Sequence, residues 1–212
     1  MIKIEKTEVF GWEAAIRGMR NPLNSWDKSD SEHKMTFTPS GDRIYPFTIG
    51  DNDHDLMMRL AKAGSTHAKY RRMINVTCDI TAPLYWLKEF DTYKVGTVAN
   101  SCSTMHKIHA KKFTLDDFSH DRLNDWNKAI LEVLINTMNA DRVRFIETKD
   151  KHYWEQMIQL LPSSYNQKRT VQLNYEVLVG MYRDRKNHKL DEWHTLCEWI
   201  ESLPYSEIIT GG

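Results

Sequence analysis

GSTHAKYRRMINVTCDITAPLYW, residues 64–86, is the stretch on which the fold reading turns. Gly64 is a natural helix stop, and His67 with Lys69, Arg71 and Arg72 makes a short basic run. From Met73 to Ile80 the residues alternate. Ile74, Val76, Cys78 and Ile80 fall on one side; Met73, Asn75, Thr77 and Asp79 fall on the other. That period of two predicts a half-buried strand. Ala82-Pro83 ends it, and Leu84-Tyr85-Trp86-Leu87 begins a helix whose aromatic residues are expected in the core.

Upstream, Asp51–Ala63 predicts a helix. Asp51, Asn52 and Asp53 supply capping chemistry, and Leu56, Leu60 and Ala63 share a face. Before it, Ser25–Asp42 is rich in Ser, Asp and Lys and predicts an ordered but mobile loop. The chain opens with a strand at Ile2–Phe10 and a short helix at Trp12–Arg20, closed by Asn21-Pro22.

Downstream, Phe90–Met105 is polar and irregular. Leu115–Met138 is the longest helical pattern, with Phe118, Trp126, Ile130, Val133 and Leu134 expected to face inward. Further helices are predicted over Trp154–Leu161, Thr170–Arg185 and Leu190–Leu203. Strands come early and helices dominate late, so the expectation is one α+β domain over residues 1–212.

Bulk properties narrow the function classes. Lys plus Arg equals Asp plus Glu, 29 each, which argues against a protein built to hold nucleic acid. Cys78, Cys102 and Cys197 are too few and too widely spaced for a disulfide framework or a structural zinc site. His188 and His194 are spaced poorly for a shared metal on one helix face. No apolar run approaches the ~20 residues of a membrane span. A cytoplasmic protein with reduced thiols is the expectation. No Walker loop, GxGxxG fingerprint or Ser-His-Asp pattern appears, and no residue is assigned a catalytic step.

Three segments together resemble the flavin-dependent thymidylate synthases. In the first, Gly64, His67, the strand Met73–Ile80 and Ala82-Pro83 follow that family's plan. In the second, the family's Arg-Gln-Trp and R-H-R-x7-S signature falls on Lys88-Glu89-Phe90, then Thr92-Tyr93-Lys94, then Thr97 to Cys102. Only Lys94 keeps its charge there, and Ser101 and Ser103 flank the expected serine. In the third, Leu161-Pro162, Asn174, Arg185 and His188 stand in the family's order.

The resemblance implies an α+β fold with a mixed or antiparallel sheet packed with long helices. It implies methylation of dUMP to dTMP with methylenetetrahydrofolate and reduced FAD, which NADPH regenerates, in a homotetramer. It places His67, Arg72, Lys94, Asn174 and His188 near the cofactor. It places Thr97, Asn100, Ser101, Ser103 and Arg185 near a pyrimidine nucleotide. The departures matter chemically. Thr92 and Tyr93 stand where an arginine and a histidine would hold phosphate, and Arg72-Met73 replaces a flavin-contacting Glu-His pair. Glu176 reverses the charge of a helix arginine. An alternative implication is therefore a repurposed homologue that binds a nucleotide or a protein partner without flavin chemistry.

Overall fold

A computed structural model describes residues 2–211. It combines helices with an antiparallel sheet, the expected α+β class. In chain order the elements are β1 (Lys3–Phe10), α1 (Trp12–Arg20), the short strands β2 (Glu32–His33), β3 (Thr36–Phe37), β4 (Arg43–Ile44) and β5 (Phe47–Thr48), and α2 (Asp51–Lys62). Then come β6 (Asn75–Pro83), α3 (Leu84–Phe90), β7 (Val98–Ser101), α4 (Asp125–Thr148), α5 (Lys151–Leu160), β8 (Asn166–Asn174), α6 (Tyr175–Arg185), α7 (Asp191–Glu201) and α8 (Glu207–Thr210). The main sheet runs in the order β1-β6-β8-β7, with β2–β5 and β3–β4 as separate ladders.

The chain divides into two compact units. The first holds the N-terminal stretch up to Glu5, Asp79–Lys94 and Ala99–Val171. Its core is a cluster of Ile108, Phe113, Phe118, Leu131, Ile135, Met138 and Met157. The α4–α5 hairpin is fixed at its ends. Asn124 caps α4 by accepting from the Val-free first turn at Asn127 N (2.9 Å), Lys149 turns the chain at φ 59°, and Asp150 caps α5 through His152 N (2.9 Å). Asn139 then clamps the Phe113 backbone from both sides, at 2.9 Å each way. On the sheet residues of this unit, Arg169 donates to the Asp91 carboxylate from Nη1 and Nη2 at 2.6 and 3.4 Å.

The second unit holds Lys6–Cys78, Val95–Val98 and the chain from Gln172 on. Gly11 explains how the α1 start can lie against the turn before β6: its φ is +97°, and a Cβ there would stand 2.1 Å from the Met73 carbonyl oxygen. At the other end of α1, Arg20 and Asp53 are both buried and meet at 2.5 Å. Asp53 also accepts from the Ser29 and Ser31 hydroxyls at 2.8 and 2.6 Å.

Several expectations need correction. Thr170–Arg185 is not one helix: Asn166–Asn174 is strand β8, and α6 begins at Tyr175. The period of two is hidden there because Gln167 and Arg169 share register with Val171 and Leu173. Their polar heads are satisfied, Gln167 by the Cys102 carbonyl (2.7 Å) and Arg169 by Gln167 (2.9 Å). The segment from Leu115 opens as a single 3-10 turn, and α4 itself starts at Asp125. Within α4, Leu131, Ile135 and Met138 are buried, whereas Trp126, Ile130 and Val133 are 76, 54 and 66% exposed. Ser25–Asp42 carries two strand segments and is tied to α2. The cap of α2 comes from that segment: the Asp30 carboxylate accepts from Asn52 N (3.0 Å) and Asp53 N (3.1 Å). Part of the irregular polar run, Val98–Ser101, is edge strand β7.

Candidate functional site

The second unit brings together three pieces that are far apart in sequence: the 3-10 turn Lys69–Arg72, residues 95–98, and the start of α6. Asn174 is the N-cap of α6, its side-chain oxygen accepting from Val177 N at 3.1 Å. Its amide nitrogen turns toward Gly96, where a Cβ would lie 2.9 Å away. Gly96 sits at φ +81°, so only glycine allows this approach without strain. Next to Gly96, the Thr97 hydroxyl is buried and makes no hydrogen bond. A buried hydroxyl without a partner costs about 1–3 kcal/mol, which makes it a natural place for a ligand oxygen or nitrogen.

The 3-10 turn supplies the charge. Arg71 is buried and faces Glu176, Nε to Oε2 at 2.8 Å, with Nη1 donating to the Ile208 carbonyl at 3.2 Å. The Nε–Oε2 contact is close, yet it lacks hydrogen-bond alignment, so the pair is held by charge more than by directed bonding. Neighbouring Tyr70 donates to the Met57 carbonyl at 2.8 Å, and burial pushes its phenol well above the ordinary range. His67 and Arg72 are exposed, and neither side chain has an ion pair or hydrogen bond among the described residues. Met73 is 44% exposed.

Arg185 and His188 cluster at the far end of α6. The Arg185 guanidinium lies over the Trp193 ring at 4.5 Å, and the His188 ring meets Trp193 edge-on at 6.1 Å. His188 Nδ1 accepts from Leu190 N at 3.2 Å, closing the turn into α7. Both are half-buried against the protein.

Lys94, Asn100, Ser101 and Ser103 belong to the first unit. Lys94 is exposed. Asn100 and Ser101 lie on edge strand β7, and the Ser103 hydroxyl accepts from Met105 N and His106 N at 3.3 and 2.9 Å as a turn cap. The hydroxyl-rich run is thus a strand end followed by a capped turn.

Sequence reasoning missed Gly96 and the Arg71–Glu176 pair. Gly96 is legible only as a glycine among polar residues. The ion pair joins residues with no local relation, so no spacing rule could have found it.

No protein-family model matches the chain, and no curated protein matches it by sequence. Solved structures do match. Thymidylate synthase X from Helicobacter pylori, determined with FAD and dUMP, aligns over 99% of this chain and 97% of its own, with a TM-score of 0.69 and 15% identity. A second structure of that flavin-dependent enzyme with FAD and dUMP gives 0.67 over 98% of this chain. A UMP/dUMP methylase from Streptomyces cacaoi, bound with 5-Br dUMP, aligns over 100% of this chain and 94% of its own, with a TM-score of 0.63 and 12% identity. Over essentially its whole length, this chain has the fold of the flavin-dependent thymidylate synthases.

Proposed function

We propose that the chain binds a pyrimidine mononucleotide, dUMP or UMP, at the junction of Thr97, Gly96 and the α6 start. The observation that carries this reading is the buried Thr97 hydroxyl without a hydrogen bond, placed beside the cap of α6 in a fold whose solved examples hold dUMP. The first turn of a helix adds backbone N–H groups and a positive dipole end, suited to a phosphate or a uracil oxygen.

FAD fits these residues less well. A dinucleotide needs fixed cations for its pyrophosphate, and Arg71 is neutralised by Glu176 while Arg185 is stacked on Trp193. Lys69 and Arg72 are exposed cations in this part of the unit, with the exposed His67 nearby in sequence. No reaction step is therefore drawn through a flavin. The methylation of dUMP with methylenetetrahydrofolate, reduced FAD and NADPH is the activity the family resemblance suggests, and the committed Arg71 favours the alternative, a nucleotide-binding homologue without redox chemistry. A homo-oligomer, cytoplasmic and with free thiols, goes with either reading. Among the described residues, no helix is long and apolar enough to cross a membrane.

A thermal-shift series with dUMP, UMP and FAD tests the reading. Stabilisation by dUMP or UMP, at least 10-fold weaker in Thr97→Val, supports it; no shift with either nucleotide at millimolar concentration refutes it. FAD titrated into the protein separates the alternatives: bound flavin absorbing near 450 nm restores the redox reading.

A further inference from the structure

Within the second unit, the outer side of α2 and the segment after α1 border a cavity of about 580 Å³. Its walls are cationic. Arg20 is the last residue of α1, Lys28 comes from the 3-10 turn Trp26–Lys28, and Arg59 and Lys62 come from the last turn of α2. Among the described residues, Asp55 is the one lining carboxylate, and the half-buried Met58 is the one apolar side chain.

Arg20 carries the argument. Its side chain is 4% exposed. Nε donates to Asp53 at 2.5 Å, and Nη1 donates to the Ser25 carbonyl and hydroxyl at 3.1 and 3.3 Å. Nη2 donates to nothing among the described residues, and it is not sealed from solvent. Two N–H bonds of a buried guanidinium are therefore left for the cavity that Arg20 lines. Asp53 and Ser25 fix the plane of the fork, so its direction is set before a ligand arrives.

Lys28, Arg59 and Lys62 are exposed, and none of their side chains has an ion pair or hydrogen bond among the described residues. Arg59 and Lys62 stand three residues apart on one helix face, where like charges repel. A helix C-terminus favours cations, which accounts for those two by themselves. It does not account for Lys28, which comes from another element, or for the open side of Arg20. With Arg20 balanced by Asp53 and one other cation offset by Asp55, the cavity keeps a charge of about +2.

We propose that this cavity binds a polyphosphate, a linear anion of two or three phosphoryl groups, free or carried on a nucleotide. A planar guanidinium suits phosphoryl oxygens, and the lysines add point charges without demanding one geometry. From Asp55 to Lys62 the lining follows about 10 Å of helix, more than a single phosphate covers. One thioether wall offers little to hold a ring, so the phosphate chain makes the contacts. The start of α2 takes no part, because Asn52 N and Asp53 N already donate to the Asp30 carboxylate. The lining shares no residue with the Thr97 and Asn174 junction, and the inference does not rest on the nucleotide reading.

Calorimetric titration of the full chain with inorganic tripolyphosphate, monophosphate and ATP, at about 0.15 M salt, tests it. Tripolyphosphate should bind with a dissociation constant below about 1 mM, and monophosphate at least 10-fold more weakly. ATP binding alongside tripolyphosphate includes nucleotide-borne chains; tripolyphosphate binding alone restricts the ligand to the free chain, and both results uphold the proposal. Arg59→Glu and Lys62→Glu should each weaken tripolyphosphate about 10-fold while leaving the thermal midpoint of the unliganded protein unchanged, since both side chains are exposed. Lys107→Glu, an exposed change in the first unit, should leave binding as it is. No heat with tripolyphosphate at about 5 mM overturns the proposal. So does monophosphate binding as tightly, wild-type affinity in both α2 variants, or a loss in Lys107→Glu as large as theirs. Stabilisation by dUMP is read separately, so its failure bears on the nucleotide site and not on this cavity.

Discussion

Replacing Glu176 by Gln tests the central electrostatic claim about the site. The substitution keeps the shape and removes the charge that faces Arg71 at 2.8 Å. Arg71 is 5% exposed, so its charge would be left with the Ile208 carbonyl as its fixed partner. Breaking a fully buried pair costs about 3–5 kcal/mol. Two features reduce that here. The Glu176 side chain is 20% exposed, and the close contact is poorly aligned. A loss of about 2 kcal/mol is expected, which for a chain of this size lowers the midpoint by about 4–8 °C. Arg71→Met should cost less, because it removes the buried charge. The double variant should recover part of the loss, giving a coupling of about 1–2 kcal/mol in a thermal or urea cycle. In Glu176→Gln the released cation should also strengthen dUMP binding several-fold, read by the ligand-induced shift in midpoint. A midpoint change under 1 °C, with no coupling in the cycle, would show that Arg71 does not depend on Glu176 and that the site's cation is not held in reserve by it.

Other outcomes follow from the same geometry. Gly96→Ala should destabilise by about 2 kcal/mol in urea titrations, combining a left-handed backbone for alanine with the displaced Asn174 cap. Burial pushes the Asp53 carboxyl up, but hydrogen bonds from Ser31, Ser29 and Arg20 outweigh it and hold the group below the usual carboxylate range. Its contribution is therefore complete above pH ~4 and is lost as the pH falls below that through the folded value, so Asp53→Asn should lower stability at neutral pH and flatten the acid limb of the pH–stability curve. A thiol reagent at pH 7.5 should modify one cysteine rapidly, Cys102; Cys78 is buried, and burial pushes the Cys197 thiol up to about 11. Rapid reaction of a second thiol in the folded protein would contradict the packing of α7 or β6.

How far the sequence disclosed this structure depends on where polar groups are buried. Alternation from Met73 to Ile80 marked β6 because its inward residues, Ile74, Val76, Cys78 and Ile80, are all apolar and all buried. The same period failed at β8, where Gln167 and Arg169 occupy the register and are satisfied by hydrogen bonds invisible to a pattern rule. The end of helix α1 was legible because Asn21-Pro22 closes it. Of the residues expected inward, Phe118 and Leu134 do pack in the core, but Trp126, Ile130 and Val133 of α4 are exposed, because both faces of that helix are apolar and periodicity does not choose between them. The site behaves likewise. Asn174 was marked as a site residue only by the family resemblance, since residue patterning set it inside a helix, whereas the partner of Arg71 lies more than a hundred residues away and only the folded chain reveals it.

The chain crosses between its two compact units at Glu5–Lys6, Cys78–Asp79, Lys94–Val95, Val98–Ala99 and Val171–Gln172. Four of those crossings fall inside strands β1, β6, β7 and β8. Neither unit is thus a continuous segment that a single cut could release. A gene fragment ending at any of those four points would sever a strand midway and leave both units incomplete. Truncation or circular rearrangement at those four positions would therefore have to rebuild a broken strand from two ends.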